Sequence, residues 1–309
     1  YGQALSAIVD LKTWSRFGDF NANTFGITPL SLSYGRAYGN DSTVCGINLD
    51  YTNVKFFQDF NNNGILSDYI KDRTNFADPP EGYEIKTNYS KKFHNGIYKY
   101  LGKYSDYSLA TSDDEIGANF SLDNNNLFFL TTYIGEISDD LITQLGLSYS
   151  NNTNDSRIIS SSESFSLDSY DDLLQFRSVF IKNIFSKSKI KYGLHFFDQS
   201  SEFMNYTINS SSESSANQII VDEFLSTAFA EIDLRLFKSF AVNAGLRYEY
   251  SKLIDETSIS PRLSAAYKVS RNSQMSYAFG KYYQTPDIGF DLWYRQNNIN
   301  LGNDFSHLD

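Results

Sequence analysis

The 309-residue chain has one cysteine, two methionines, two tryptophans, three histidines and five prolines. A lone Cys45 excludes a disulfide framework and any cysteine-based metal site. His94, His195 and His307 are far apart in sequence, a poor start for a metal or general-base cluster. No G-x-S-x-G, P-loop or Rossmann pattern is present, so no catalytic residues are assigned and no cofactor is called for. No stretch approaches the roughly 20 apolar residues of a spanning helix, and mean hydropathy is −0.40, which excludes a helical membrane protein. Basic residues are outnumbered, 26 Lys and Arg against 37 Asp and Glu, for a net charge of −11. A nucleic-acid partner, whose phosphates need a basic patch, is not expected. The chain opens on Tyr1 with neither Met nor a signal-peptide pattern.

What is abundant is aromatic: 23 Tyr and 25 Phe. They fall in segments that alternate apolar and polar residues. In Ala241–Tyr250, Val242, Ala244, Leu246, Tyr248 and Tyr250 alternate with Asn243, Gly245, Arg247 and Glu249. Side chains on a strand point to alternate faces, so one side is greasy and ring-bearing while the other carries charge. Leu263, Ala265 and Tyr267 repeat the pattern against Arg262, Ser264 and Lys268. Cys45 shares a face with Ile47, Leu49 and Tyr51, as a lipid-facing or core residue would. A barrel shows lipid only every second residue, so a membrane barrel has a polar average composition and aromatic girdles at both interfaces.

The pattern predicts strands near 20–27, 30–37, 42–52, 83–92, 97–107, 124–136, 141–150, 172–184, 189–198, 221–236, 240–252, 259–269 and 274–283. The connections are of two kinds. Tight ones fall at Ala37–Asp41, Phe93–Gly96, Glu136–Asp140, Ser186–Ser188, Phe237–Ser239 and Ser270–Ser273. The others are mostly long and rich in Asn, Ser and Asp, at 53–82, 108–123, 151–171 and 199–220, with short members near Pro29 and at 253–258. The two kinds alternate along the chain. Short turns on one rim and long loops on the other describe an outer-membrane barrel with its turns in the periplasm, whereas a β-sandwich has no reason to segregate loop lengths. Pro261, which lacks an N–H, is expected at a strand entrance or in a bulge. Lys281 shares the face of Met275, Tyr277 and Phe279 and is expected to reach the headgroups. Thirteen strands is odd for a single-chain barrel, and an unpaired edge in lipid is costly, so the sequence is expected to be incomplete at both ends.

Particular segments then resemble one family. YGQALSAIVDLKT at the N-terminus is similar to the last plug strand of TonB-dependent outer-membrane receptors. HNGIYKYLGKYS (94–105), SLDNNNLF (121–128), LGLSYSNN (145–152) and the block from AGLRYEYSKL to SPRLSAAYKVSRNSQMSYAFGKYYQTPD (244–287) resemble its barrel segments, most of all in members with a carboxypeptidase-regulatory-like domain. The resemblance implies an all-β fold: a transmembrane antiparallel β-barrel, here about 13 strands of an expected 22 or so, preceded by the last strand of a plug domain. Residues 1–15 would end the plug, and 16–309 would be a barrel incomplete at its C-terminus. It also implies a receptor in the Gram-negative outer membrane, surrounded by its lipids, that imports a large scarce nutrient (siderophore, glycan, peptide or cofactor). Its energy would come from the TonB-ExbB-ExbD complex, with a surface lipoprotein as a further candidate partner. An ungated porin or adhesin-type barrel, and a secreted β-sandwich, are the rival readings.

Two groups of candidate residues emerge. Glu231, Asp233, Arg235, Arg247, Glu249, Arg262 and Lys268 should face the lumen, where they solvate the interior and pair with a plug. Phe56, Phe57, Asp59, Phe60, Tyr69 and Phe76, in the loop 53–82, mix aromatics with hydrogen-bonding groups as an extracellular ligand contact would. Asp59, Asn61, Asn63 and Gly64 open like an EF-hand loop, but its twelfth position is Ile70 instead of a bidentate Glu. An Asn-rich loop tip reads better, and no metal is assigned.

Overall fold

The computed structural model describes residues 17–28, 30–54, 76–113, 117–160, 163–185, 187–209 and 214–283. They form one sheet of thirteen antiparallel strands, each bonded to its neighbours in sequence. The strands are β1 Phe20–Ile27, β2 Ser31–Gly39, β3 Thr43–Asn53, β4 Phe76–Lys92, β5 Gly96–Asp113, β6 Ala118–Ser138, β7 Leu141–Ser160, β8 Glu163–Phe185, β9 Ser188–Asn209, β10 Ser214–Phe237, β11 Phe240–Ser251, β12 Glu256–Lys268 and β13 Gln274–Gly280. Among the described residues no second sheet is stacked on this one, and no helix is long and apolar enough to cross a membrane.

The turns on one rim are closed by local side chains. Asn40 Oδ1 accepts the amides of Ser42 (2.9 Å) and Thr43 (2.8 Å) between β2 and β3, the hydrogen bonding that makes Asn a turn residue. Asn95 donates to the Glu136 carbonyl at 3.2 Å, tying the β4–β5 turn to β6. On the opposite rim Asp255 has a φ of 53°, a left-handed conformation that Asp tolerates.

Register separates the two faces. Leu246 and Tyr248 of β11 lie beside Ala230 and Ala228 of β10 and Pro261 and Ile259 of β12; they are 53% and 46% exposed. Arg247 and Glu249 point the other way, with side chains only 15% and 9% exposed. Val179, Val221 and Ser201, the largest fully buried side chains among the described residues, share that polar side. It is called the inner face below.

Aromatic pairs form two belts on the outer face. Tyr89–Tyr98, Phe180–Tyr192 and Phe240–Tyr267 lie toward the tight-turn rim, and Tyr83–Tyr104, Phe129–Tyr149 and Phe176–Phe196–Phe224 lie higher. This is the girdle arrangement of a membrane barrel.

Strand lengths correct the loop reading. The segments 108–123, 151–171 and 199–220 are not loops for most of their length. β6 and β7 stay paired from Glu136↔Ile142 to Ala118↔Ser160, and β8 and β9 from Phe185↔Ser188 to Glu163↔Asn209. A spanning strand needs only about 9–11 residues, whereas β10 has 24, about 80 Å at 3.3 Å per residue. The excess rises into water as β-ribbon. There both faces are solvated, so the apolar–polar alternation that marks a strand in sequence fades while the backbone ladder continues. Asp172, thirteen residues before β8 ends at Phe185, shows the change on the outer face. It accepts hydrogen bonds from Tyr149 (2.6 Å) and Asn151 (2.9 Å). Burial works against its ionisation, but these donors and Tyr170 outweigh it and hold the carboxyl below its usual value.

Pro261 also departs from expectation. It lies inside β12, opposite Leu246, at neither an entrance nor a bulge. Its carbonyl accepts the Lys281 amide at 3.0 Å, so its nitrogen faces β13 as well, since both groups of an antiparallel residue point to one side. The missing N–H falls one residue beyond the end of β13. Lys281 follows that strand with its ammonium 4.7 Å from the Tyr283 ring centre.

Candidate functional site

The inner wall gathers the charged residues of the longest strands. Arg177, His195, Thr227, Glu249 and Ser258 stand directly across from one another on β8 to β12. From the adjacent row, Arg247 binds the Glu249 carboxylate through Nε at 3.0 Å and also through Nη2. Arg247 Nη2 also donates to Thr227 Oγ1 at 3.2 Å, and Thr227 donates to Glu249 at the same distance. The alternation of strand faces makes this pair possible, because residues 247 and 249 are successive members of one face. Such a buried pair holds together only where hydrogen bonds offset the lost hydration, and Thr227 supplies one to each partner. One layer higher, Ser251 donates to the Glu223 carboxylate at 2.9 Å.

Glu231, Asp233, Arg235, Arg247, Glu249, Arg262 and Lys268 share one side of the sheet by register. The structure joins Arg247 to Glu249 and sets Glu231 4.0 Å from Lys191, which also lies 5.8 Å from the Phe229 ring centre. Asp233 faces Lys189 in register. Arg262 packs its guanidinium 4.9 Å from the Tyr282 ring centre, and its buried Nε has no hydrogen-bond partner among the described residues. Arg235 and Lys268 are exposed near the tight-turn rim. The seven therefore form a lining with local pairs, not one cluster.

Sequence reasoning missed several members. Glu84, 8% exposed, is held between Lys86 and Lys103, the latter at 2.6 Å. The signal was legible, since Glu84 and Lys86 are two apart and must share a face. Thr227 gave no signal, because an uncharged residue in an alternating strand is ordinary. Of the extracellular candidates, Phe56, Phe57, Asp59, Phe60 and Tyr69 lie outside the described residues, as do the EF-hand-like Asp59–Gly64 and residues 1–15. Phe76 begins β4. No group of three or more His, Cys, Asp or Glu among the described residues is placed to hold a metal ion.

Similarity to known proteins agrees with this architecture. Residues 12–305 match the family model described as TonB dependent receptor-like, beta-barrel. No curated protein sequence matches the chain. Among solved structures, the ferric citrate transporter FecA in its unliganded form is similar with a TM-score of 0.60 at 9% identity, over 93% of this chain and 48% of that one. The copper transporter OprC gives 0.58 at 10% identity, over 88% and 47%. The RagAB peptide importer in its closed-closed state gives 0.56 at 8% identity, over 82% and 36%. At such identities the likeness shows the fold alone, and the chain spans between about a third and a half of those structures. With 294 of 309 residues inside the family model (12 to 305) and an outward apolar face girdled by rings, the chain belongs to the TonB-dependent receptor β-barrel family of the Gram-negative outer membrane.

Proposed function

We propose that the chain is the barrel portion of a TonB-dependent receptor that imports a large, scarce nutrient into the periplasm. The observation that carries this reading is the membership of nearly the whole chain in the receptor barrel family. The inner wall supports it: a face bearing Arg247–Glu249, Lys191–Glu231 and Glu84 between two lysines suits a lumen occupied by a polar plug. Glu231, Asp233, Arg235, Arg247, Glu249, Arg262 and Lys268 line that lumen and face the plug. Phe56, Phe57, Asp59, Phe60, Tyr69 and Phe76 belong to the extracellular region that first meets the ligand. TonB, acting on a plug encoded elsewhere in the full reading frame, supplies the energy, and a surface lipoprotein would engage the extracellular ribbons.

A porin makes a different prediction. The full-length protein, reconstituted in a planar bilayer, should show no steady open-channel conductance, and uptake in cells should disappear when tonB is deleted. Steady conductance without denaturant, together with uptake indifferent to tonB, would overturn the proposal in favour of an ungated barrel.

A further inference from the structure

We propose that the extracellular half of the inner wall, across β5 to β8, is a binding surface for an uncharged, polyhydroxylated ligand of the oligosaccharide class. The inference rests on the import reading above and names the substrate class for it.

Charge is divided by height along the inner face. Among the described strand residues, no inward-facing Lys or Arg lies more than eight positions from its tight turn. The highest is Arg177, eight before Phe185 ends β8; Arg247 stands seven after Phe240, and Lys103 seven after Gly96. Above that level the described residues of the wall offer amides, hydroxyls, carboxylates and apolar groups, but no cation. A polyanionic chelate would find none of them to offset its charge at the level of the amides.

Instead the register assembles a ladder of amides. Asn126 and Asn152 face each other on β6 and β7, as do Asn124 and Asn154 one layer up. Asn124 donates to Asn152 at 3.0 Å and also to Asn154, and Asn126 donates to Asn152 at 3.4 Å. Asn154 continues to Ser169 on β8 at 3.4 Å, and Asp171, next to Asn152 in register, accepts from Ser201. These bonds fix the planes of the side chains. Each amide has two donors and two acceptor sites, so capacity remains for the vicinal hydroxyls of a sugar, which both donate and accept.

A second feature adjoins the ladder. Tyr107 of β5 is opposite Asn124 on one side and Gly82 of β4 on the other. Its ring leans over Gly82, where any Cβ would overlap the ring and the Asp106 carbonyl. An aromatic laid over a glycine presents its remaining face to the lumen, beside planar hydrogen-bonding groups. Ring face plus amides matches the two surfaces of a pyranose, one of C–H groups and one of hydroxyls. Tyr107 is eleven residues above Gly96, and Asn152 eleven above Leu141, which puts both at or above the limit of a spanning strand.

The test uses the full-length receptor purified in detergent, with heat-modifiable gel mobility confirming a folded barrel for every variant. Calorimetric titrations with neutral α-glucan, β-glucan and chitin hexasaccharides, and with ferric citrate as the polyanion, should show at least one hexasaccharide bound and no competition by ferric citrate. Tyr107→Ala and Asn152→Ala should each weaken binding about tenfold or more, while Tyr107→Phe, which keeps the ring, should stay within about twofold of the parent. Asn126→Ala replaces Asn152→Ala if the latter does not fold. Failure of all three sugars to bind, equal binding by the alanine variants, or competition by ferric citrate would overturn the assignment. Binding in detergent needs no TonB, so a result here is separate from the tonB experiment.

Discussion

At the scale of single residues, the inner wall is most sensitive where charge is buried. Arg247 and Glu249 satisfy each other through Thr227, so removing one leaves the other buried without its counter-charge. Arg247→Met should destabilise the barrel by about 3 kcal/mol, and Glu249→Gln by a similar amount. The double variant should cost clearly less than the sum, with a coupling energy of about 1–3 kcal/mol in urea unfolding from lipid vesicles. Additive losses would mean that the pair is not formed. If the pair also releases the plug, the double variant in the full-length receptor should alter uptake or plug protease-resistance; no change in either rejects that role. Gly193 illustrates another constraint, since a methyl group there would meet the Ser178 carbonyl and the Phe229 ring, and backbone cannot move aside as a flexible side chain can.

At the scale of elements, the ribbons distinguish this structure from the sequence reading. If β8 and β9 remain paired to Glu163↔Asn209, backbone amides in Ser166–Asp171 and Ser201–Thr207 should exchange at least about a hundredfold more slowly than in an unstructured chain. Hydrogen exchange by mass spectrometry on the folded receptor checks this; unprotected amides would restore the loop reading. The contrast shows what was legible. Thirteen strands, their order and their facing were readable because Leu246, Arg247, Tyr248 and Glu249 sit between two solvents, and each side chain reports which one it meets. Asn152 and Asn154 were read as loop, although their partners Asn124 and Asn126 fell inside a predicted strand, because above the membrane water lies on both sides and composition no longer marks a face. Only the partner strand shows that these four align. Glu84 was missed for a simpler reason: the strand was drawn from residue 83, leaving it beside a presumed loop.

At the scale of the whole molecule, the described residues form one sheet with no partner sheet and so no conventional core. Its large outward side chains, among them Leu246, Tyr248, Leu263 and Phe279, are 44–58% exposed, a hazard in water and a requirement in lipid. Polar residues converge on the opposite side, with cations paired to acids such as Glu84, Glu231 and Glu249 toward the tight turns and amides such as Asn124 and Asn152 toward the far ribbons. The central claim is that the first face touches acyl chains and the second an enclosed lumen. Its most direct measurement is a pair of spin labels, at Leu246→Cys and Arg247→Cys, in a cysteine-free full-length receptor reconstituted in lipid vesicles. The account predicts fast relaxation of the 246 label by oxygen dissolved in the bilayer, with little effect of oxygen on the 247 label. Equal oxygen access at both positions, or the reverse order, would contradict it.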